Sequence, residues 1–235
     1  MKIWLTVLAF CCAACAKQPY MQGQQTTANS NNMPEKNNFT YLALGDSYTI
    51  GEAVPQEQSF PYQLTQRLGN NVKPDIIAVT GWTTGELKQG ITQRSLQKHD
   101  YDVVTLLIGV NNQYRHNSPV EYRTEFAELL NIAIGYAGGN KQHVIVLSIP
   151  DWGVTPYGKN YGNTAQTAAD IDHFNDINKQ ETAKQGVTYI DITPSSRLAA
   201  NDVSLIAADG LHPSGKMYGL WVEQLLPQLQ KIIKP

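Results

Sequence analysis

Cysteine is almost absent from this sequence of 235 residues. The three cysteines are Cys11, Cys12 and Cys15, and none follows residue 15. A disulfide-stabilised fold, or a zinc site built on thiolates, needs several cysteines in the folded part of the chain. The sequence therefore excludes both for residues 16–235, and we expect no metal. Because 42% of the residues are hydrophobic and only 16% are charged, an apolar core can stabilise the fold instead.

The chain also lacks an excess of basic charge and a long hydrophobic run. It has 18 Lys and Arg residues against 20 Asp and Glu residues, which gives a formal net charge of −2. Proteins that neutralise a phosphate backbone carry a basic excess, so we expect no nucleic-acid partner. No segment after the amino terminus approaches the roughly 18 apolar residues of a membrane-spanning helix. Any membrane attachment is therefore expected through a lipid alone.

The amino terminus has the pattern of an export signal. Lys2 precedes an apolar run over residues 3–14, which is too short to span a bilayer. The run ends in Cys12-Ala13-Ala14-Cys15, which resembles a bacterial lipobox and predicts a signal peptide over residues 1–15 with lipidation at Cys15. The alternative is ordinary cleavage after Ala14-Cys15-Ala16. The lipobox predicts an exported bacterial protein anchored to the cell envelope.

Composition divides the remainder into two parts. Residues 16–38 are rich in Gln, Asn, Thr, Pro and Ser and have almost no apolar content. Such a segment cannot bury enough surface to offset its ordering entropy, so it predicts a flexible polar tether. Residues 39–235 then form one domain of ordinary size.

Five short apolar runs alternate with helical patterns in this domain. They are Tyr41–Leu44, Ile76–Val79, Val103–Ile108, Val144–Leu147 and Val187–Ile190. Their continuous apolar character indicates strands buried on both faces, as in a parallel sheet. Strand and helix in alternation predict a three-layer α/β sandwich.

Three helices carry clear sequence signals. Ser118-Pro119-Val120-Glu121 reads as a capping box that starts a helix ending near Gly138, and Glu121, Glu125 and Glu128 predict its solvated face. A second amphipathic helix is expected to stop at Gly186, and a third to run from about residue 214 to 232.

Residues capable of acyl transfer follow the predicted strands. Ser47 follows the first strand, while Asp209 and His212 stand three residues apart near the carboxyl terminus. A serine nucleophile needs an imidazole base, and the base needs a carboxylate that fixes its tautomer. The developing oxyanion needs N–H donors, and the backbone of Ser47, the backbone of Gly81 and the side chain of Asn111 can supply them.

These residues occur in four blocks whose order and spacing resemble those of the SGNH, or GDSL-like, hydrolase superfamily. The blocks are Gly45-Asp46-Ser47-Tyr48, Gly81, Gly109-Val110-Asn111-Asn112 and Asp209-Gly210-Leu211-His212-Pro213. The resemblance implies a flavodoxin-like five-stranded parallel sheet and ester hydrolysis without metal or cofactor. It implies that Ser47 is the nucleophile, His212 the base and Asp209 its orienting carboxylate. It also implies an oxyanion hole formed by Ser47, Gly81 and Asn111.

Two residues depart from the most familiar family pattern. Tyr48 stands where leucine is common, and Asn112 stands where many members have aspartate. Asp46, beside the nucleophile, is expected to hold loop amides rather than to act as a base. The elbow G-x-S-x-G of the α/β-hydrolases is absent, because Thr49 occupies its last position.

Aromatic residues are expected around the site. Trp152 and Tyr157 belong to a predicted loop over residues 150–163 that follows the fourth strand, and Tyr114 follows the third. The loop is interpreted either as a surface lid packed on itself or as a substrate contact. Aromatic rings can stack on sugars or contact an acyl chain.

The sequence thus predicts a serine esterase that forms an acyl-enzyme. The expected substrates are small-molecule or glycan esters, with short acyl groups or carbohydrate O-acyl groups. One alternative is a lysophospholipase or lipase that acts on lipid esters. The other, from a different class, is a cell-surface carbohydrate-binding protein whose ester site is unused.

Overall fold

A computed structural model describes Met1, residues 39–68 and residues 72–233. The remainder of the predicted signal peptide, the proposed lipidation site Cys15 and the tether over residues 16–38 lie outside the described residues. Among the residues that the structure describes, no helix combines the length and apolar character needed to cross a bilayer.

The strands form a five-stranded parallel sheet in the order β2-β1-β3-β4-β5. They are β1 (Tyr41–Gly45), β2 (Asp75–Ala78), β3 (Val103–Leu107), β4 (Val144–Leu147) and β5 (Thr188–Ile190). All residues of β1, β3 and β4 are buried. This confirms the five strands that the apolar runs predict, because only a strand covered on both faces is apolar throughout.

Four strands differ from their predicted bounds by one residue at one end or both, and at two of these ends a local turn is the reason. β2 stops at Ala78, since the N–H of Trp82 donates to the carbonyl of Val79 and turns the chain away, which leaves Val79 45% exposed. β5 begins at Thr188, since the N–H of Val187 still donates to the carbonyl of Thr182 and closes the preceding helix.

Helices cover both faces of the sheet. They are α1 (Ser47–Ile50), α2 (Phe60–Arg67), α3 (Thr84–Arg94), α4 (Val110–Tyr114), α5 (Pro119–Tyr136), α6 (Pro156–Tyr161), α7 (Thr164–Gln185), α8 (Thr193–Arg197) and α9 (Gly215–Ile233). α3, α5 and α7 pack on one another on one face, and α2 packs on α9 on the other. This arrangement follows from right-handed crossovers in both directions from β1, and it confirms the three-layer α/β sandwich.

The predicted capping box at Ser118 is wrong, although the helix begins where expected. Ser118 makes no side-chain capping bond. The capping box lies at α3 instead, where the side chain of Thr83 and the side chain of Glu86 each accept the other residue's backbone N–H.

The topology fixes where a site can form. The chain leaves β1 toward β2 on one side and returns to form β3 on the other, so the strand order reverses at the carboxyl end of β1. Such a reversal opens a crevice between the two adjacent loops. Gly45 pairs with Leu107 in the sheet, so the loops after β1 and β3 emerge side by side.

Candidate active site

Ser47 lies at the sharp turn between β1 and α1, and its side chain is almost fully buried. Asp46 caps α1, since its Oδ1 accepts the N–H of Tyr48 at 3.0 Å. This confirms the expectation that Asp46 holds loop amides. Gly45 permits the turn, because a Cβ there would lie 2.1 Å from Oγ1 of Thr49.

The structure brings the three predicted triad residues into hydrogen-bond contact. Nε2 of His212 lies 3.0 Å from Oγ of Ser47. Nδ1 of His212 lies 2.5 Å from Oδ2 of Asp209. The contact between Ser47 and His212 joins residues 165 positions apart in the chain, so the fold, and not local sequence, assembles it.

The hydrogen bonds around Asp209 keep its carboxylate charged. Burial alone would raise the pKa of Asp209, but the hydrogen bond with His212 and the backbone N–H groups of Leu211 and His212 hold it below its ordinary value. A charged carboxylate retains the proton on Nδ1 of His212, so Nε2 can accept the proton of the Ser47 hydroxyl. The arrangement is that of a serine nucleophile with an oriented general base.

Two of the three predicted oxyanion donors, Ser47 and Asn111, line the cleft at the nucleophile. Nδ2 of Asn111 donates to the carbonyl of Trp82 at 3.0 Å and makes a longer contact of 3.4 Å with Oδ2 of Asp46. Because an amide nitrogen carries two N–H groups, the second can turn toward an oxyanion. The backbone N–H of Ser47 donates no hydrogen bond within residues 39–68 and 72–233, as is usual in the first turn of a helix.

The structure supports an oxyanion role less directly for Gly81 than for the other two donors. It has a left-handed φ of +84°, and its N–H has no acceptor among the described residues. Ser47, Asn111 and His212 line the cleft, whereas Gly81 does not. The role of Gly81 in the oxyanion hole therefore stays a prediction.

Asn112 replaces the more familiar aspartate without leaving its loop unsupported. Its Oδ1 accepts the N–H of Thr84 at 3.0 Å, and its Nδ2 donates to Oγ1 of Thr84 at 2.7 Å. The Thr84 hydroxyl donates in turn to the carboxylate of Glu125 on α5. Glu125, expected on a solvated face, is half-buried and takes part in this hydrogen-bond network.

The catalytic groups open into a cleft of about 170 Å³. Its lining residues are Ser47, Tyr48, Val110, Asn111, Tyr114, Trp152, Tyr157, Leu211 and His212. All three aromatic residues predicted to contact substrate are among them. The ring of Tyr48 lies 5.2 Å from the imidazole ring of His212. The tyrosine that stands where leucine is common therefore helps to hold the catalytic base.

Residues 150–163 are not the irregular loop that the glycines predict. They form a 3-10 turn over Trp152–Val154 and then α6. Trp152 is buried at 5% exposure, and its Nε1 donates to Oε1 of Gln113 at 2.8 Å. The N–H of Tyr157 donates to the carbonyl of Gly210 at 2.9 Å, which joins this segment to the loop of the catalytic base.

Tyr161 completes an aromatic cluster that sequence reasoning only partly identified. Its ring lies 5.1 Å from that of Tyr114, 5.7 Å from Trp152 and 5.6 Å from Tyr157. The spacing of Tyr157 and Tyr161, four residues apart on α6, is the signal that could have found it, because such residues share a helix face.

Comparison with known proteins gives one family. The model of the GDSL-like lipase/acylhydrolase family matches residues 43–220, which include every triad and oxyanion residue named above. No functionally curated protein matches the chain in sequence.

Solved structures of low sequence identity share the fold. TesA superposes with a TM-score of 0.64 at 19% identity, over 82% of this chain and 99% of that one. A lipolytic G-D-S-L family protein from Veillonella parvula has a TM-score of 0.63 at 16% identity, over 81% and 97% of the two chains. The acetyl xylan esterase AlAXEase has a TM-score of 0.64 at 15% identity, over 80% and 98%. At these identities the likeness concerns the fold.

The family match covers well over half of the chain, and the structure brings the family's serine, histidine and aspartate into one hydrogen-bonded line. The chain therefore belongs to the GDSL-like lipase/acylhydrolase family and is an ester hydrolase.

Proposed function

We propose that this esterase removes short acyl groups, and in particular acetyl groups, from carbohydrates through an acyl-enzyme on Ser47. The observation that carries the proposal is the size of the cleft at the nucleophile. Its volume of about 170 Å³ is well below the roughly 300 Å³ at the lower end of ordinary small-molecule sites. An acetyl-sized group fits within this volume, whereas a long alkyl chain would extend beyond it.

The walls of the cleft support the same acyl size. Tyr48, Trp152 and Leu211 line the cleft and also line a separate void of about 10 Å³ behind it. Trp152 is buried, and its hydrogen bond to Gln113 holds the indole in the wall between the two spaces. A longer acyl chain would have to displace this indole.

The outer rim supports a carbohydrate as the alcohol part. Tyr157 is 38% exposed and Tyr161 is 54% exposed, and their rings stack at 18°. The hydroxyls of Tyr114 and Tyr157 lie 3.0 Å apart at the mouth. Exposed rings with hydroxyl groups offer both a stacking face and hydrogen bonds to a sugar. The fold likeness to an acetyl xylan esterase agrees with this proposal.

The reaction follows from the triad. Nε2 of His212 accepts the proton of Ser47 as Oγ attacks the acyl carbon, and the amides of Ser47, Gly81 and Asn111 would stabilise the oxyanion. The imidazolium then protonates the departing alcohol, which leaves an acetyl group on Oγ. A water molecule, deprotonated by His212, attacks this ester, and acetate departs as Ser47 recovers its proton.

A panel of esters tests the proposal. The wild type should hydrolyse p-nitrophenyl acetate and release acetate from acetylated xylooligosaccharides, with kcat/KM falling steeply from acetyl through butyryl to octanoyl. The Ser47→Ala variant is the blank for each substrate. Preference for palmitoyl esters or lysophospholipid would establish the lipid-directed alternative instead. Carbohydrate binding without turnover would establish a binding protein, an outcome that the intact triad disfavours.

We propose from the sequence that the enzyme acts at the cell envelope, with a lipid on Cys15. The proposal rests on the signal-like residues 1–15, which precede the domain by a polar segment. Expression of the full chain with labelled palmitate should give a labelled membrane-bound protein, and Cys15→Ala should abolish the label. An unlabelled soluble wild type would contradict lipidation.

A further inference from the structure

Arg115, directly after α4, connects two loops of the active site. Its Nη2 donates to the carbonyl of Gly81 at 2.6 Å, and its Nη1 lies 3.2 Å from both carboxylate oxygens of Glu86. The contact was not predictable, because it joins residues 34 positions apart.

Glu86 is itself held in place, so it can fix the guanidinium. Its Oε2 accepts the N–H of Thr83 at 2.8 Å as part of the capping box of α3. This hydrogen bond, together with Arg115, keeps the pKa of Glu86 below its ordinary value. The planar guanidinium of Arg115 therefore has the charged carboxylate of Glu86 on one side and the carbonyl of Gly81 on the other.

The peptide that Arg115 holds belongs to the Gly81 turn. The next carbonyl, that of Trp82, accepts from Nδ2 of Asn111 at 3.0 Å. On the other side of Gly81, the hydroxyl of Thr80 donates to the carboxylate of Glu52. The peptide between Gly81 and Trp82 is thus held at its carbonyl by Arg115 and at its N–H by the carbonyl of Val79. The N–H of Gly81 belongs to the preceding peptide and has no acceptor among the described residues, so its direction depends on the backbone angles of a glycine with no Cβ to restrain them.

We propose that Arg115 is a positioning residue of the oxyanion hole: by holding the carbonyl of Gly81 it restrains the backbone angles of this glycine, and so the direction in which the N–H of Gly81, in the preceding peptide, points relative to the amide of Asn111. The inference rests on the proposed role of Gly81. It adds a residue outside the four family blocks to the machinery of the reaction, and it assigns the Arg115–Glu86 pair a role other than folding.

Exposure supports a local role. The side chains of Arg115 and Glu86 are 45% and 40% exposed, and ion pairs so open to water add little to folding stability. Lys88 on α3 offers a matched control, because it makes a similarly exposed ion pair with Glu128 on α5. That pair also joins two helices, but it does not touch Gly81.

The experiment compares Arg115→Ala, Glu86→Gln and Lys88→Ala with the wild type, on whichever ester the wild type hydrolyses fastest. A misaligned donor stabilises the transition state less than a fixed one, so Arg115→Ala should lower kcat by about tenfold or more with KM within about twofold. Glu86→Gln should show a smaller loss. Added guanidinium at millimolar concentration should restore part of the activity of Arg115→Ala only. Lys88→Ala should match the wild type throughout.

The inference fails if Arg115→Ala keeps the kcat of the wild type, or if its loss appears equally in Lys88→Ala. A loss that guanidinium does not recover, with a lowered melting temperature, would assign Arg115 a purely structural role and would also overturn it. Because the best ester is chosen first, a failed acetyl preference counts against the proposed substrate and leaves this comparison intact.

Discussion

Asp46 illustrates how one buried residue can serve the site without taking part in the reaction. One of its oxygens caps α1 and the other faces the amide of Asn111 at 3.4 Å. Complete burial raises the pKa of Asp46 to about 7, against which the hydrogen bonds of Tyr48 and Asn111 act only in part. The carboxyl therefore changes its charge near neutral pH, next to a proposed oxyanion donor.

This raised pKa makes a prediction about stability. The folded protein holds the Asp46 proton more tightly than the unfolded chain, so the stabilising contribution is complete below the unfolded pKa near 4 and is lost as the pH rises through about 7. Between those values the free energy of unfolding of the wild type should fall, relative to that of Asp46→Asn, by an amount of the order of 3 kcal/mol. Urea unfolding of both proteins across this pH range measures it, and parallel curves would contradict the raised pKa.

Asp209 makes the opposite prediction, because its charge has to persist. In Asp209→Asn an amide faces Nδ1 and favours the tautomer that carries its proton on Nε2, where His212 cannot accept from Ser47. We expect kcat to fall by about 10³- to 10⁴-fold with an unchanged circular-dichroism spectrum. Asp202→Asn is the control, because Asp202 pairs with Lys216 on the surface nearby. A loss below about tenfold would show that His212 is oriented by other groups.

Elements show where sequence reasoning succeeds and where it stops. Apolar runs predicted all five strands, because a strand buried on both faces is continuously apolar, and few other short segments show this pattern. The 3-10 turn and α6 within residues 150–163 were missed, because glycines and short length hide helices that tertiary contacts stabilise. The cap of α5 was wrongly assigned because residue type alone does not fix a capping bond: Ser118 makes none, whereas Thr155, which also precedes a proline, caps α6.

The 3-10 turn over Trp152–Val154 leads to a prediction about acyl length. Trp152 separates the cleft from the small void behind it, so Trp152→Ala should join the two spaces. The ratio of octanoyl to acetyl hydrolysis should then rise by at least about tenfold, while stability falls by about 3 to 5 kcal/mol. Tyr161→Ala is the matched control, since Tyr161 belongs to the same aromatic cluster but does not line the cleft. An unchanged ratio in Trp152→Ala would show that another wall limits the acyl chain.

At the scale of the whole molecule, the sheet order explains why distant motifs become one site. The reversal beside β1 places the loops after β1 and β3 together, and the loop of Asp209 and His212 closes over them. The triad was predictable because its residue types and spacing have few other uses together. The clamp of Gly81 by Arg115 and the support of Asn112 through Glu125 were not, because each depends on contacts between elements that no local pattern encodes.

The central claim is that the fold turns Ser47 into a nucleophile, and covalent labelling tests it most directly. Intact-mass spectrometry after exposure to a fluorophosphonate should show one adduct on the wild type, mapped to Ser47, and none on Ser47→Ala, whose circular-dichroism spectrum stays the same. His212→Ala should label much more slowly, since the base is lost. An adduct of equal yield on Ser47→Ala, or no adduct on a folded wild type that binds its substrate, would contradict the account.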